Sequence, residues 1–220
     1  MKYLYKNLVS ILPTIGILIF VGFYLYSATL YPGGSQVNLN SIGYDWVNNY
    51  WCDLMNKYGV NGQVNQARIY SITAMIILCM SLTIFFIQFA QTFAQNPFWK
   101  FTIKIGGVLA MFFAVLISTK YHDLMASLSS VFGVFVVVGI VWEVYKSKLN
   151  LFKIGGVVCI MLLGVNNYIY YSRNGIEYLP LIKKMTFVAI LLWIIGLNYK
   201  MMKKETLLYA TCKPNTKFIE

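Results

Sequence analysis

The sequence contains few charged residues. Asp, Glu, Lys and Arg together make up 11% of the 220 residues, whereas about a quarter of a typical soluble domain is charged. Hydrophobic residues make up 59% and fall in long blocks, which a water-soluble core does not require. Since about 20 apolar residues cross the hydrocarbon core of a bilayer, the shortage of charge excludes a soluble protein and indicates an integral membrane protein.

Histidine and paired cysteines are also lacking. His122 is the single histidine, which excludes the histidine-rich centre of ceramidase-type membrane hydrolases, and we expect no metal ion and no cofactor. The four cysteines include no CxxC pair, and the topology described below places Cys52 and Cys212 on opposite sides of the membrane. Neither a zinc ribbon nor an intramolecular disulfide is therefore expected.

Acidic residues are outnumbered, with 7 Asp and Glu against 18 Lys and Arg. The surplus positive charge sits at the ends of the apolar blocks and in the C-terminal tail, where it faces anionic lipid headgroups. This placement argues against a nucleic-acid partner and predicts membrane lipids instead. The first apolar block is too long for a signal peptide and lacks a small-residue cleavage site, so we expect a retained first helix.

Six apolar blocks are present, and blocks of this length are expected to be helices because lipid cannot hydrogen-bond to an unpaired backbone. The predicted fold is all-α. A single domain over 1–204 forms a bundle of six transmembrane helices, and a cytoplasmic tail follows over 205–220. The blocks run over 8–31, 68–94, 101–119, 121–145, 151–172 and 178–201.

The basic residues predict the orientation. With the N-terminus in the cytoplasm, twelve Lys and Arg fall on the inner side and six on the outer side. The positive-inside rule therefore places both termini in the cytoplasm. A sequence rich in Lys, Asn, Ile and Tyr is typical of an AT-rich bacterium, so the expected location is the bacterial cytoplasmic (inner) membrane.

One connection is long, the external loop over 32–67 between the first and second helices. Its glycines supply turns, and its Tyr and Trp side chains are of the kind that lie at headgroup level. Loops of this length are functional or disordered, and the aromatic content argues against disorder. We expect a folded cap on the outer membrane face, with a short interfacial helix around 46–57.

A short repeat opens the third and fifth helices. Lys104-Ile-Gly-Gly-Val and Lys153-Ile-Gly-Gly-Val both enter the membrane from the cytoplasmic side. One explanation is a common origin of the two C-terminal helical hairpins. The other is that the lysine marks the interface and that the paired glycines let neighbouring helices approach closely.

Polar residues in spans mark functional sites by default, and here they gather at the predicted outer end. The inner halves of the helices are almost purely apolar. We therefore predict an outward-facing polar pocket, roofed by the loop, that binds a lipid-like ligand. The candidate ligand-binding residues are Arg68, Lys183, Lys184, Asn166, Asn167, Tyr170 and Trp51.

The candidate catalytic residues are His122, Asp123 and Asp53. A histidine can act as a general base near neutral pH. Asp123 follows it directly, and successive helical side chains point about 100° apart, so Asp53 from the loop is the better candidate to orient the imidazole. The alternative is an interfacial histidine that hydrogen-bonds to a loop carbonyl.

Two further pairs carry expectations about packing. Because adjacent helical side chains diverge, one of Lys183 and Lys184 is expected to face the bundle and to need a carboxylate or a lipid phosphate. In the alternative, both lysines extend to the outer headgroups. Glu143 and Lys146, at the cytoplasmic end of the fourth helix, have the i,i+3 spacing of a surface ion pair.

Four short motifs carry a resemblance to a known family: Ser41-Ile-Gly-Tyr-Asp45, Cys52-Asp53-Leu54, the stretch NGQVNQAR over 61–68, and Tyr121-His122-Asp123-Leu124. With the long external loop and the His-Asp at the start of the fourth helix, the layout resembles the six-helix FRAG/DRAM/SFK-type membrane superfamily and its bacterial relatives. The resemblance implies a role in lipid handling or in regulating a membrane partner. It implies no catalytic set.

Three functions are left open by the sequence. The first is a lipid-handling or accessory protein that binds a lipid-like ligand in the outward-facing pocket. The second is a lipid-modifying enzyme that uses His122 with Asp53 or Asp123. The third is a structural subunit of a larger membrane complex, with a membrane-protein partner. Transport is disfavoured, because we expect no interrupted helix in mid-span and no charge at the bilayer centre.

Overall fold

In the computed structural model, residues 2–147 and 149–211 are described, with the side chains of 9–147 and 149–203. The described residues contain helices and no named strand, and the predicted all-α class is confirmed. The α-helices are α1 (Lys2–Thr29), α2 (Arg68–Thr92), α3 (Pro97–Phe101), α4 (Gly107–Val115), α5 (His122–Tyr145), α6 (Asn150–Ser172) and α7 (Leu179–Thr211).

Six helical segments are long and apolar enough to cross a membrane, as predicted. The third of them, Pro97–Ser118, is built from α3, a π-helical turn (Thr102–Gly106), α4 and a closing 3-10 turn. The π-helical turn lies towards the start of this span and not in its middle. Helix α7 runs on to Thr211, so residues 205–211 of the predicted tail continue the helix. The rest of that tail, 212–220, lies outside the described residues.

The spans pack in chain order. Each one contacts the next along the sequence, and α7 returns to pack against α1, which closes the bundle. Because the number of spans is even, the start of α1 and the end of α7 lie at the same end of the bundle. We call the end that carries residues 30–67 the loop end, and the other the opposite end.

Pro13 lies inside α1 and removes one rung of its backbone ladder, because proline has no N–H to donate. The carbonyl that loses its partner belongs to Val9, and the side chain of Gln88 on α2 donates to it at 2.8 Å. The next carbonyl, Ser10, accepts a hydrogen bond of 3.0 Å from the side chain of Asn198 on α7. Polar side chains of two neighbouring helices thus bind the backbone next to the proline. The helix halves near the opposite end therefore carry buried polar contacts, and the prediction that they are almost purely apolar is wrong.

The predicted surface ion pair of Glu143 with Lys146 is also wrong. Glu143 is only 3% exposed. Its carboxylate accepts the backbone N–H groups of Gln95 and Asn96, at 3.0 and 3.3 Å, where the chain turns from α2 into α3. Lys146 lies over the ring of Trp142 instead. The carboxylate is buried because it binds two N–H groups at the start of a helix, which have no carbonyl partner within it.

The two glycine pairs of the short repeat make equivalent contacts. A Cβ on Gly106 would lie 3.1 Å from Val136 of the following span, and one on Gly155 would lie 2.9 Å from Trp193. The second glycine of each pair meets the preceding span, since added Cβ atoms on Gly107 and Gly156 would lie 2.6 Å from Phe86 and 2.7 Å from Val141. The expected close approach of helices is confirmed in both hairpins.

Glycines in the returning helices show the same register. A Cβ on Gly139 of α5 would lie 3.1 Å from Ile103, and one on Gly196 of α7 would lie 2.7 Å from Phe152. Ile103 and Phe152 each directly precede the lysine of the repeat. The hairpin over 97–145 and the hairpin over 150–203 therefore pack through matching contacts.

Candidate functional site

The loop between α1 and α2 is folded, as expected from its composition. Two isolated bridges close its turns, Gly33 with Ile42 and Tyr58 with Val64. The turns meet where a Cβ on Gly34 (φ +81°) would lie 2.3 Å from the backbone nitrogen of Asn61, so this position requires glycine. A 3-10 helix, Trp51–Met55, lies within the range predicted for a short helix.

Two buried asparagines hold the loop together. The Asn65 side chain donates to the carbonyls of Asp53, Leu54 and Asn56, at 3.2, 3.0 and 3.0 Å. The Asn49 side chain donates to the carbonyl of Gly34 at 2.9 Å. Neither residue was among the predicted site residues. A folded loop buries backbone carbonyls that need hydrogen-bond donors, and asparagine side chains can supply them. The prediction of a folded loop was therefore the only hint in the sequence that asparagines within it would be buried.

Asp53 belongs to the same network. Its carboxylate accepts the side chain of Asn49 at 3.1 Å and the backbone N–H of Tyr50 at 2.8 Å. Burial raises the pKa of this carboxyl above its usual value, and the hydrogen bonds from Asn49 and Tyr50 partly offset that rise. These contacts give Asp53 a structural role inside the loop, and no described contact joins it to His122.

Lys184 fastens the loop to the bundle. It is buried, as expected for one of the two adjacent lysines, and it donates to the backbone carbonyls of Trp46, at 2.9 Å, and Asn49. The ring of Tyr44 lies 5.4 Å from its ammonium group. The direct partners are therefore carbonyls and an aromatic face, and not the carboxylate or phosphate that we expected. In this conformation Lys184 is not free to bind a ligand.

Lys183 lies on a different side of α7 and is half-buried. Its ammonium group is 5.2 Å from the ring of Tyr50 in the loop and 5.2 Å from the ring of Tyr170 on α6. The guanidinium of Arg173 is 5.4 Å from the same Tyr170 ring. We call Tyr50, Tyr170, Arg173 and Lys183 the cation–tyrosine cluster. Arg173 was not among the predicted ligand-binding residues.

The two cations of this cluster have no carboxylate partner among the described side chains, since neither Lys183 nor Arg173 has an Asp or Glu oxygen within 4.0 Å. Asp123 acts on Lys183 electrostatically from beyond ion-pair distance. Burial raises the pKa of the Cys52 thiol to about 11, with Asp53 raising it further and Lys183 opposing the rise. The raised pKa favours the protonated thiol at neutral pH, whereas reactive cysteines have a lowered pKa.

Arg173 has an unusual backbone. It caps the end of α6 in the left-handed conformation, at φ +62°, and within the described chain it is the only residue other than glycine with a positive φ. Helix ends of this kind normally carry Gly or Asn, and another residue there costs about 1–2 kcal/mol. The strained conformation places the guanidinium beside Tyr170.

His122 and Asp123 pair with each other. The imidazole Nδ1 lies 3.0 Å from the Asp123 carboxylate, although we expected adjacent side chains to diverge. Both residues lie in the first turn of α5, and the imidazole turns towards the side chain of the next residue. The side chains are 40% and 90% exposed, and an exposed pair of this kind is weak because water screens it.

A deeper layer lies one helical turn from the cation–tyrosine cluster. Asn166 precedes Tyr170 by four residues on α6 and donates to the hydroxyl of Thr186 on α7. Phe187 follows Lys183 by four residues on α7, and its ring lies 5.3 Å from the ring of Trp51. Residues four apart share one helix face. The deeper layer consists of Trp51, Asn166, Thr186 and Phe187.

Two polar atoms of the deeper layer are buried without a hydrogen-bond partner among the described residues: Trp51 Nε1 and Asn166 Oδ1. The orientation of the Asn166 amide is determined by the Leu162 carbonyl, which can only accept, so the nitrogen faces it at 2.9 Å. The oxygen is therefore a free acceptor, and the indole N–H is a free donor.

The remaining predicted ligand residues lie apart from the cluster. Asn167 donates to the Leu163 carbonyl of its own helix at 3.0 Å. Arg68 opens α2, and its Nε is buried without a partner within the described chain. No described contact joins either residue to Lys183. The described residues show no ligand pocket bounded by all the predicted groups, so the pocket stays a prediction.

The predicted residues thus separate into two sets at the loop end. Asp53 and Lys184 hold the loop in place, whereas Lys183, Tyr170, Trp51 and Asn166 surround one junction of the loop with α6 and α7. The sequence matches no protein-family model, and no curated protein or solved structure is detectably similar to it. The resemblance to the six-helix superfamily therefore stays a prediction.

Proposed function

We propose that this chain is a bacterial inner-membrane protein that binds the anionic headgroup of a membrane lipid at the cation–tyrosine cluster, and that it acts as a lipid-handling or lipid-bound accessory protein. The observation that carries the proposal is the pair of cations on Tyr170. Lys183 and Arg173 lie 5.2 and 5.4 Å from the centre of that ring, with no carboxylate in ion-pair distance among the described residues.

An anionic ligand accounts for this arrangement. Two like charges beside one ring repel each other, and a phosphate between them turns that repulsion into two charge-assisted hydrogen bonds. Arg is well suited to phosphate oxygens because its planar fork donates in pairs, and Lys adds a point charge. The tyrosine faces contribute further cation–π attraction.

The expected orientation places the ligand at the membrane surface. The positive-inside rule assigns the loop end to the outer face, and Tyr50 and Tyr170 are residues that favour headgroup depth. Lys183 and Arg173 lie at the loop-end termini of α7 and α6, which is the level of lipid phosphates in that orientation. A soluble anion would have to compete there with a high local concentration of headgroups.

The proposal is tested by native mass spectrometry of the full-length protein, extracted gently from its own membrane. We expect the wild type to retain an anionic phospholipid. Lys183→Met and Arg173→Gly each remove a hydrogen bond to a charged group, worth about 1.5–3 kcal/mol, and should lose at least tenfold in occupancy. Lys57→Met is the matched control, because Lys57 is an exposed loop lysine that pairs with Tyr58 outside the cluster.

Two results would contradict the proposal. One is a bound lipid whose occupancy is the same in all four proteins, because the cluster would then not be the site. The other is a stoichiometric complex with another membrane protein whose lipid content does not respond to the substitutions, which would favour the structural-subunit hypothesis.

A further inference from the structure

We propose that the bound lipid carries a hydroxyl or secondary amide about one helical turn from its anionic group, and that Trp51 and Asn166 recognise it. This inference rests on the proposed function, because it takes the cation–tyrosine cluster as the position of the anionic group. It adds a specificity for one chemical class of anionic lipid.

The two unpartnered atoms lie deeper in the bundle than the cation–tyrosine cluster. Asn166 lies on the face of α6 that carries Tyr170, one turn further from the loop end, and it is 9% exposed. Phe187 stands in the same relation to Lys183 on α7, and Trp51 packs on it. One turn of helix is about 5.4 Å. A ligand anchored at the cluster therefore presents to this layer the atoms that follow its phosphate.

The two atoms have complementary hydrogen-bonding capacity. Trp51 Nε1 can only donate, and Asn166 Oδ1, with its amide nitrogen held by Leu162 and Thr186, can only accept. Leaving either atom buried and unpaired is unfavourable. Trp51 and Asn166 contact consecutive residues of α7, Phe187 and Thr186. A hydroxyl or a secondary amide can accept from the indole and donate to the amide oxygen, so a single group of this kind, placed between the two side chains, would satisfy both atoms.

This pairing excludes some classes of lipid. An ester carbonyl accepts from Trp51 but has no hydrogen to donate to Asn166, so a diacyl lipid with two esters leaves Asn166 unsatisfied. A lysophospholipid has a free hydroxyl on the carbon next to the one that bears the phosphate ester. An N-acylated amino-alcohol phosphate presents an amide at the same distance. Both share the chemistry that the deeper layer selects.

The aromatic surroundings favour an amphiphile over a soluble phosphate. Trp51 packs against Tyr24 and Phe20 of α1 as well as Phe187, with ring centroids 4.4 to 6.3 Å apart. An acyl chain leaving the deeper layer meets apolar surface, whereas a soluble phosphate ester offers nothing for that surface to contact.

The test uses the full-length protein in detergent micelles and three probes: 1-oleoylglycerol 3-phosphate, its 2-O-methyl ether, and dioleoyl phosphatidic acid. The methyl ether can accept a hydrogen bond but cannot donate one. We expect the wild type to bind the free hydroxyl compound at least tenfold more tightly than the ether or the diacyl lipid, since one buried unsatisfied acceptor accounts for a difference of that size.

Substitutions assign separate effects to the two side chains. Asn166→Leu should reduce the preference for the hydroxyl compound to about twofold or less while binding of the ether stays unchanged. Trp51→Phe should weaken binding of the hydroxyl compound and of the ether by a similar factor, because both accept a hydrogen bond from the indole. The controls are Trp46→Phe, which alters an exposed tryptophan, and Asn167→Leu, which alters the neighbouring asparagine. Thermal unfolding of each variant shows that the fold is retained.

The outcomes separate this inference from the proposed function. Equal binding of all three probes by the wild type, with all binding lost in Lys183→Met, would overturn the hydroxyl specificity and leave the headgroup site standing. A preference that survives Asn166→Leu would also overturn it, and so would binding of the hydroxyl compound and the ether that Trp51→Phe leaves unchanged. Failure of the wild type to bind any probe would overturn the headgroup site, and the inference with it.

Discussion

The two C-terminal hairpins pack alike but end differently at the loop end. Gly106 with Val136 and Ile103 with Gly139 in the first hairpin correspond to Gly155 with Trp193 and Phe152 with Gly196 in the second. Lys184 lies twelve residues before Gly196 in the second hairpin, and Ser127 lies twelve residues before Gly139 in the first, so the two positions are equivalent. Ser127 is exposed, whereas Lys184 is buried under the loop.

This difference shows which part of the molecule is specialised. Shared helix packing needs only small residues at a fixed spacing, so both hairpins meet that requirement in the same way. The loop, the cation–tyrosine cluster and the deeper layer all contact the second hairpin. The first hairpin ends instead in an exposed His122–Asp123 pair.

The largest effect is expected from Lys184→Met, which removes the donor that holds two loop carbonyls. Leaving the Trp46 and Asn49 carbonyls unpaired should lower the free energy of unfolding by about 2–3 kcal/mol. Ser127→Met, at the equivalent position of the first hairpin, should change it by less than about 0.5 kcal/mol. Denaturant unfolding in mixed micelles measures both, and a similar loss in the two variants would break the comparison.

Gly139→Ala and Gly196→Ala should destabilise the protein by similar amounts, about 1–3 kcal/mol each, because the new methyl group overlaps Trp99 in one hairpin and Phe152 in the other. Gly133→Ala is the control, since nothing lies within 4 Å of its added Cβ, and it should be neutral or stabilising. If only one of the two substitutions lowered the free energy of unfolding, the matching contacts would not contribute equally to stability in the two hairpins.

Arg173→Gly is expected to act in opposite directions on stability and on ligand binding. Relief of the left-handed conformation should raise the free energy of unfolding by about 1 kcal/mol, while lipid occupancy falls. Thermal unfolding and native mass spectrometry on one preparation give both values. A fall in both quantities would mean that the Arg173 side chain stabilises the helix end, and a rise in both would remove it from the site.

The smallest expected effect is on the pH dependence of loop stability. Because the Asp53 pKa is raised on folding, the folded loop favours the protonated carboxyl. The contribution of Asp53 to the free energy of unfolding therefore falls as pH rises from the usual pKa of 3.8 to the folded pKa, and it is constant above that pH. Asp53→Asn should abolish this slope. Asp45 gives the opposite slope, because hydrogen bonds from Asn48 and Val47 outweigh burial and lower its pKa. Limited proteolysis of the loop between pH 3 and 6 distinguishes the two signs.

The spans were predictable because their signal is local. Six apolar blocks, one long loop and two glycine pairs are readable without any contact information. Most helix ends lie close to the predicted positions, but α1 begins six residues earlier and α7 ends ten residues later than predicted. The prediction that one of two adjacent lysines faces inward needed only the helical period, and Lys184 confirms it. Which partner it would find was not local, and the carbonyls that it binds lie more than a hundred residues away in the loop.

The composition and periodicity of the sequence thus determined an all-helical membrane protein, a folded aromatic loop and close approaches at the paired glycines. Contacts between distant segments place Glu143 against a helix start, engage Asp53 within the loop, and bring Arg173 and Lys183 together at Tyr170. The physical reason is the range of the forces involved. The free energy of placing a span in lipid is a sum over residues that are neighbours in the sequence. The hydrogen-bond partner of a buried polar side chain depends instead on which distant backbone groups have no other partner.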